Sequence, residues 1–290
     1  MISEHSVHTG HNTMQVGAKH LTSYFFLLIM AADFSFADKI SSPVTFSEVM
    51  ELQATLHRSA QGVTSSYGPD HNQSILRLDG PRKSGVLMLI HGGCWSNAYG
   101  RDHILPMAAT LSTLGHDVWV PEYRRIGDDG GGWPGSVGDI IEATRFVVTN
   151  TGRQPILIGH SAGGHLALRA AQTGLSIKGV IGLAPITDLI SYGGQPGSCQ
   201  TMVAPFMGDK DFSPNPAYRE ASVNQNDINV PVFIVIGGKD AIVGKDQIDS
   251  FSSEHVAVVA DAGHFDVIHP HTEAFTAVLR ALAIVQKAGP

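Results

Sequence analysis

The sequence predicts an α/β protein: a mostly parallel central sheet, helices on both faces, and a short cap or lid insertion. Three observations lead there. From about residue 84, short continuous apolar runs bounded by glycine or proline recur along the chain, as in strands buried on both faces. Between them lie longer stretches with helical apolar spacing. The two alternate, which argues for βαβ units and hence a parallel sheet covered on both sides.

The elements follow in order. Val86–His91 (VLMLIH) is the first clear strand, set between Gly85 and Gly92-Gly93. Ile104–Leu114 has helical spacing and stops at Gly115. His116–Pro121 (HDVWVP) is a second strand. Pro134–Asn150 reads as a helix with proline near its start, where the missing N–H is harmless. Pro155–Gly159 is the third strand, and Ala162–Thr173 is an alanine-rich helix. Lys178–Ala184, Pro231–Gly237 and His255–Ala260 complete the strands, and His269–Gln286 closes the chain as an amphipathic helix. Leu189–Asn229 breaks the rhythm with Gly193, Gly194, Pro196, Gly197, Pro205, Pro214 and Pro216. A long patternless segment between two strands is often functional, so residues 189–229 are expected to form a lid or pocket wall. No internal repeat of fixed period is visible.

Residues 1–37 read differently. Leu21–Ala32 (LTSYFFLLIMAA) is an apolar run of about a dozen residues, shorter than the roughly 20 a membrane-spanning helix needs. Lys19 and His20 precede it and Ser35-Phe36-Ala37 follows it. This is the layout of a secretory signal peptide cleaved after about Ala37. Met14 would give a more compact leader than Met1, because Met1–Thr13 lacks Lys and Arg. The mature chain, residues 38–290, is then expected to be one domain, periplasmic or secreted, with no stable membrane insertion; a cytoplasmic location is the alternative. A net charge of −7 without a dense Lys/Arg run argues against a nucleic-acid partner. Two cysteines, Cys94 and Cys199, are too few for a disulfide scaffold; whether they pair is open at this level. No zinc or redox spacing is present, and no cofactor is expected. Oligomeric state is not encoded in any feature of the sequence.

The chemistry gathers at strand ends, where ligands bind in such sheets. Gly159-His160-Ser161-Ala162-Gly163 fits Gly-x-Ser-x-Gly between a strand and a helix, the context that makes a sharp turn and exposes the serine hydroxyl. A serine needs a base, and the base needs an orienting carboxylate. Asp240 follows the strand PVFIVIG, and His264 follows HVAVVA. Each alone reads equally as a turn-capping aspartate and a freely titrating loop histidine. Together with Ser161 they stand in the order Ser…Asp…His, all at strand carboxyl ends. His91-Gly92-Gly93-Cys94-Trp95 follows the first strand and suits an oxyanion loop. Gly93 is the favoured N–H donor, with Gly92 and Cys94 as alternatives, and Ala162 is the second. His91 is expected to anchor the loop by side-chain hydrogen bonds. Cys94, Trp95, Trp133 and Tyr192 are candidate pocket walls. Asp139 and Asp188 read as capping or loop-anchoring groups. His264, Asp266, His269 and His271 cluster in sequence, but without zinc spacing no metal site is assigned.

The motifs resemble those of the α/β-hydrolase superfamily, in its esterase/lipase group, near the prolyl-oligopeptidase-like and kynurenine-formamidase-like esterases. The residues that carry the resemblance are HGGCW at His91–Trp95, EYRR at Glu122–Arg125, GGWPGSVGDI at Gly131–Ile140, GHSAGG at Gly159–Gly164, LAPITDL at Leu183–Leu189, GGKD at Gly237–Asp240 and GHFDVIHP at Gly263–Pro270. The resemblance runs from about residue 60 to the end. It implies an α/β-hydrolase fold, Ser161 as nucleophile, Asp240 as orienter and His264 as base. The implied substrate is a small carboxylic ester or activated amide, with an arylformamidase-type amidase as the alternative; a peptidase and a non-catalytic binder on the same scaffold rank below both. Two positions depart from the pattern: Cys94 stands where many relatives have a third glycine, and Gly244 where many have proline.

Overall fold

The computed structural model describes residues 40–56, 62–81 and 84–288. The expected leader over residues 1–37 lies outside them. Eight strands form one sheet: β1 Val63–Ser66, β2 Ser74–Leu78, β3 Val86–Ile90, β4 Asp117–Pro121, β5 Ile156–His160, β6 Gly179–Leu183, β7 Val232–Gly237 and β8 Val256–Val259. Their spatial order is β1-β2-β4-β3-β5-β6-β7-β8. The β1–β2 and β2–β4 pairs are antiparallel and the rest parallel. Strands β3 to β6 are buried along their whole length, whereas the outermost strands β1 and β8 are largely exposed or half-buried. That gradient explains which strands were legible. A central strand covered on both faces is apolar throughout; β1, VTSS, carries no such run.

The principal helices are α1 Phe46–Leu56, α2 Leu105–Thr113, α3 Gly135–Thr151, α4 Ala162–Ala171 and, at the end of the chain, a long helix over Glu273–Lys287. The connection β3–α2–β4 crosses the sheet in one direction, and β4–α3–β5–α4–β6 in the other. Right-handed crossovers therefore set α2 on one face and α3 and α4 on the opposite one. The reversal falls at β3, so a crevice opens at the carboxyl ends of β3 and β5.

Three short helices occupy the segment after β6: α5 Leu189–Gly193, α6 Val203–Met207 and α7 Pro216–Ala221. The terminal helix is thus α8. It begins at Glu273 rather than at His269, because His269 precedes Pro270 and is extended (φ −94°, ψ 114°). Thr272 caps α8 by accepting from the Phe275 N–H at 3.2 Å. Helix α1 is announced by Thr45-Phe46-Ser47-Glu48. Thr45 N–H donates to Glu48 Oε2 at 2.7 Å and Glu48 N–H to Thr45 Oγ1 at 3.3 Å, a reciprocal capping box.

Candidate active site

Ser161 sits between β5 and α4 with φ 56° and ψ −122°. A non-glycine residue at positive φ is strained; here strand and helix fix both flanks. The turn is tight enough to dictate its neighbours. A Cβ on Gly159 would lie 2.2 Å from the Gly163 carbonyl oxygen, and one on Gly163 would lie 2.3 Å from that of His91. The spacing Gly-x-Ser-x-Gly is therefore a steric requirement of this elbow. Ser161 is 2% exposed and lines a cavity of about 340 Å³.

His264 lines the same cavity. Its Nδ1 lies 2.7 Å from Asp240 Oδ2. The other carboxylate oxygen of Asp240 accepts the N–H groups of Ile242 and Val243, each at 2.8 Å. Asp240 is thus oriented by its own loop, and it fixes the His264 tautomer: Nδ1 donates to the carboxylate and Nε2 carries the lone pair. His160 Nε2 lies 3.0 Å from the His264 carbonyl oxygen, and the two rings are 4.6 Å apart. Burial holds His160 neutral, with its pKa well below the ordinary histidine value. Nearby aspartates are engaged elsewhere. Asp261 pairs with Lys239 at 2.7 Å, and Asp266 Oδ2 accepts from the N–H groups of Val44 and Gly263.

Gly93, Cys94 and Trp95 all have positive φ, 100°, 54° and 58°, so the loop after β3 turns sharply under the cavity. Gly93 and Cys94 line it. Gly92 packs behind the nucleophile instead; a Cβ there would be 2.9 Å from Ser161 Cβ. Ala162 is the first residue of α4, so its N–H has no intrahelical acceptor and points along the positive end of the helix dipole. Cys94 is bonded to Cys199. The bridge ties the β3 loop to the cavity wall Pro196–Gln200, which belongs to the segment after β6.

The aromatic wall differs from expectation. Trp95 is fully buried and stacks on Phe206 at 4.6 Å. Trp133 lies beneath the Arg169 guanidinium, 5.2 Å away, and Tyr192 is buried near the short helices; neither lines the cavity. Its aromatic lining is Phe46, Tyr99 and Phe265, which meet around Phe46 at ring distances of 5.8 and 5.5 Å. Phe46 was findable through the α1 capping box. No local pattern marks Tyr99. Asp188 caps α5, and Asp139 binds the Arg124 guanidinium and backbone N–H. The sequence cluster around His264 does not converge, and among the described residues no His/Cys/Asp/Glu group is arranged to hold a metal ion.

The BD-FAE family profile matches residues 78–254, more than half of the chain. The chain belongs to the BD-FAE family. Solved structures agree on the architecture. Esterase B from Lactobacillus rhamnosis is 18% identical with a TM-score of 0.62, over 83% of this chain and 95% of that one. A truncated carbohydrate esterase from gut microbiota is 17% identical with a TM-score of 0.64, over 79% and 97%. Esterase LipW from Mycobacterium marinum is 17% identical with a TM-score of 0.62, over 82% and 86%. The fold is the α/β-hydrolase fold that the motifs implied. No curated protein sequence matches the chain.

Proposed function

We propose that the protein is a serine hydrolase that cleaves small carboxylic esters through an acyl-enzyme. The observation that carries this reading is the 2.7 Å bond from His264 Nδ1 to Asp240, with His264 and the elbow residue Ser161 on one cavity. His264 Nε2 takes the Ser161 hydroxyl proton as Oγ bonds to the ester carbon. The carbonyl π electrons move onto oxygen, and the N–H groups of Gly93 and Ala162 receive the resulting oxyanion. Collapse expels the alcohol, which takes the proton back from His264. Water then repeats the cycle in reverse, freeing the acid and Ser161. Several of the solved structural neighbours are esterases, which supports the reaction class. The test is turnover of p-nitrophenyl acetate and butyrate, paired with fluorophosphonate labelling mapped to Ser161 by mass spectrometry. Absence of both would refute the proposal.

We also propose export with loss of residues 1–37. The Cys94–Cys199 bridge supports it, since disulfides persist mainly in oxidising compartments. Sequencing the protein from its native host should find a start near Asp38; cytosolic protein retaining the apolar run would overturn the idea.

A further inference from the structure

Residues 196–200 all line the cavity that holds Ser161 and His264. Pro196, Gly197 and Ser198 are also solvent-exposed, so this stretch is a rim and not core. Two adjacent residues tie the rim to two different loops. Cys199 is bonded to Cys94, which follows Gly93 in the loop after β3. Gln200 Nε2 donates to the Ile242 carbonyl oxygen at 2.9 Å. The N–H of that same Ile242 donates to Asp240 Oδ1 at 2.8 Å. The rim is therefore a strap from the loop carrying Gly93 to the loop carrying Asp240. Inside it the bonds are local: the Thr201 N–H donates to the Gly197 carbonyl at 3.1 Å, and the Thr201 hydroxyl to the Ser198 carbonyl at 2.8 Å. Both loops have anchors behind the strap. Trp95 stacks on Phe206, Ser191 Oγ donates to Asp246 Oδ2 at 2.9 Å, and the Thr187 N–H donates to Gln247 Oε1 at 2.9 Å. Losing the tie at Cys199 or Gln200 would thus free the strap and leave the loops in place.

We infer that this strap, held shut by Gln200 and the Cys94–Cys199 bridge, sets the largest acyl group the cavity accepts. The inference rests on the proposed ester hydrolysis. In that reaction the alcohol leaves with the proton of His264, so it lies on the His264 side. Phe265 follows His264 there, with Phe46 packed on it at 5.5 Å. The acyl group projects from the carbonyl carbon the other way, toward the wall that Cys94 and Cys199 build beside Gly93. The cavity holds about 340 Å³, near the lower end of the roughly 300–1,000 Å³ of ligand pockets. A wall tied at both ends cannot swing out to admit a longer chain. A pocket of fixed shape distinguishes a single methylene by about tenfold or more. The substrates are then esters of short straight-chain acids, and Gln200 is a specificity-determining residue that acts by holding the wall.

The test has two arms, both on the full chain. In the first, kcat/KM is measured for p-nitrophenyl esters from acetate to octanoate. The wild-type value should fall at least about tenfold from butyrate to octanoate. Gln200→Met keeps the side-chain length and removes the donor, and Gln200→Ala removes length and donor together. Both should raise the octanoate-to-butyrate ratio about tenfold. A ratio unchanged in Gln200→Met, or raised only in Gln200→Ala, would overturn the inference, because bulk and not the tie would then set the limit. Cys94→Ala with Cys199→Ala frees the other end and should move the ratio the same way; Gln200→Met decides alone if that variant does not fold. In the second arm, hydrogen exchange reads the Thr201 and Met202 amides, whose bonds close the strap onto itself. They should exchange faster in Gln200→Met, and an unchanged rate would show that Gln200 does not hold the strap. A wild type that neither turns over esters nor labels at Ser161 refutes the underlying reaction instead, while the exchange arm still judges the tie.

Discussion

In the proposed reaction Ser161, Asp240 and His264 act as a unit, and single changes should show it. Ser161→Ala should lower ester turnover by on the order of 10³-fold or more with an unchanged melting curve. A variant that kept a tenth of wild-type turnover would remove Ser161 from the role. Asp240→Asn retains a side-chain oxygen for the Ile242 and Val243 N–H groups but turns an amide donor toward His264 Nδ1. The ring must then flip its tautomer and present N–H rather than a lone pair to Ser161. The expected loss is about 10⁴-fold, read as kcat/KM with near-native stability; near-wild-type activity would place the acid elsewhere. These residues were legible because each occupies a strand end that glycine punctuation marks. The cavity walls were not. As a single aromatic, Trp95 reads equally as pocket wall or core, and it is fully buried. Tyr99 and Phe265 reach the cavity by tertiary packing, which no local pattern encodes.

The bridge between the β3 loop and the Pro196–Gln200 wall joins elements 105 residues apart. Closing so long a loop restricts the unfolded chain, and the chain-entropy treatment assigns about 4–5 kcal/mol to it. Replacing Cys94 and Cys199 together by alanine should lower the melting temperature by roughly 10 °C, at about 2–4 °C per kcal/mol for a chain of this size. An unchanged melting temperature would show that packing alone holds the two elements together. The pairing was not legible, since sequence spacing says nothing of Cα separation. Among the elements, α1 and the β1–β2 pair were missed for opposite reasons. Helix α1 carries a clear capping signal at Thr45 and Glu48. Strand β1 is polar and exposed, so nothing distinguishes it from a loop. Thr45→Ala should cost about 1 kcal/mol, measured by urea denaturation.

For the whole molecule, several buried titratable groups tilt stability in one direction. Burial pushes the pKa of His103 down to about 3 and that of His165 to about 4, and it holds His160 well below 6.5. Unfolded, each binds a proton near pH 6.5; folded, each resists until far lower pH. The unfolded chain therefore takes up more protons as pH falls below about 6.5, and each histidine removes about 1.4 kcal/mol of stability per pH unit in that interval. Glu122 adds to this at lower pH. Its folded pKa of about 2 lies below the ordinary 4.5, so its contribution is present above 4.5 and lost as pH falls toward 2. Urea denaturation should give a nearly constant midpoint from pH 8 to 7 and a progressive fall from pH 6 to 4. His165→Gln isolates one histidine away from the cavity, because His165 Nε2 donates to the Ala221 carbonyl at 2.8 Å and the amide can replace that donor. The variant should be shallower between pH 6 and 4 by about one proton's slope, with ester turnover at pH 8 preserved. If its pH dependence matched the wild type, the buried imidazoles would not be the source of the acid sensitivity.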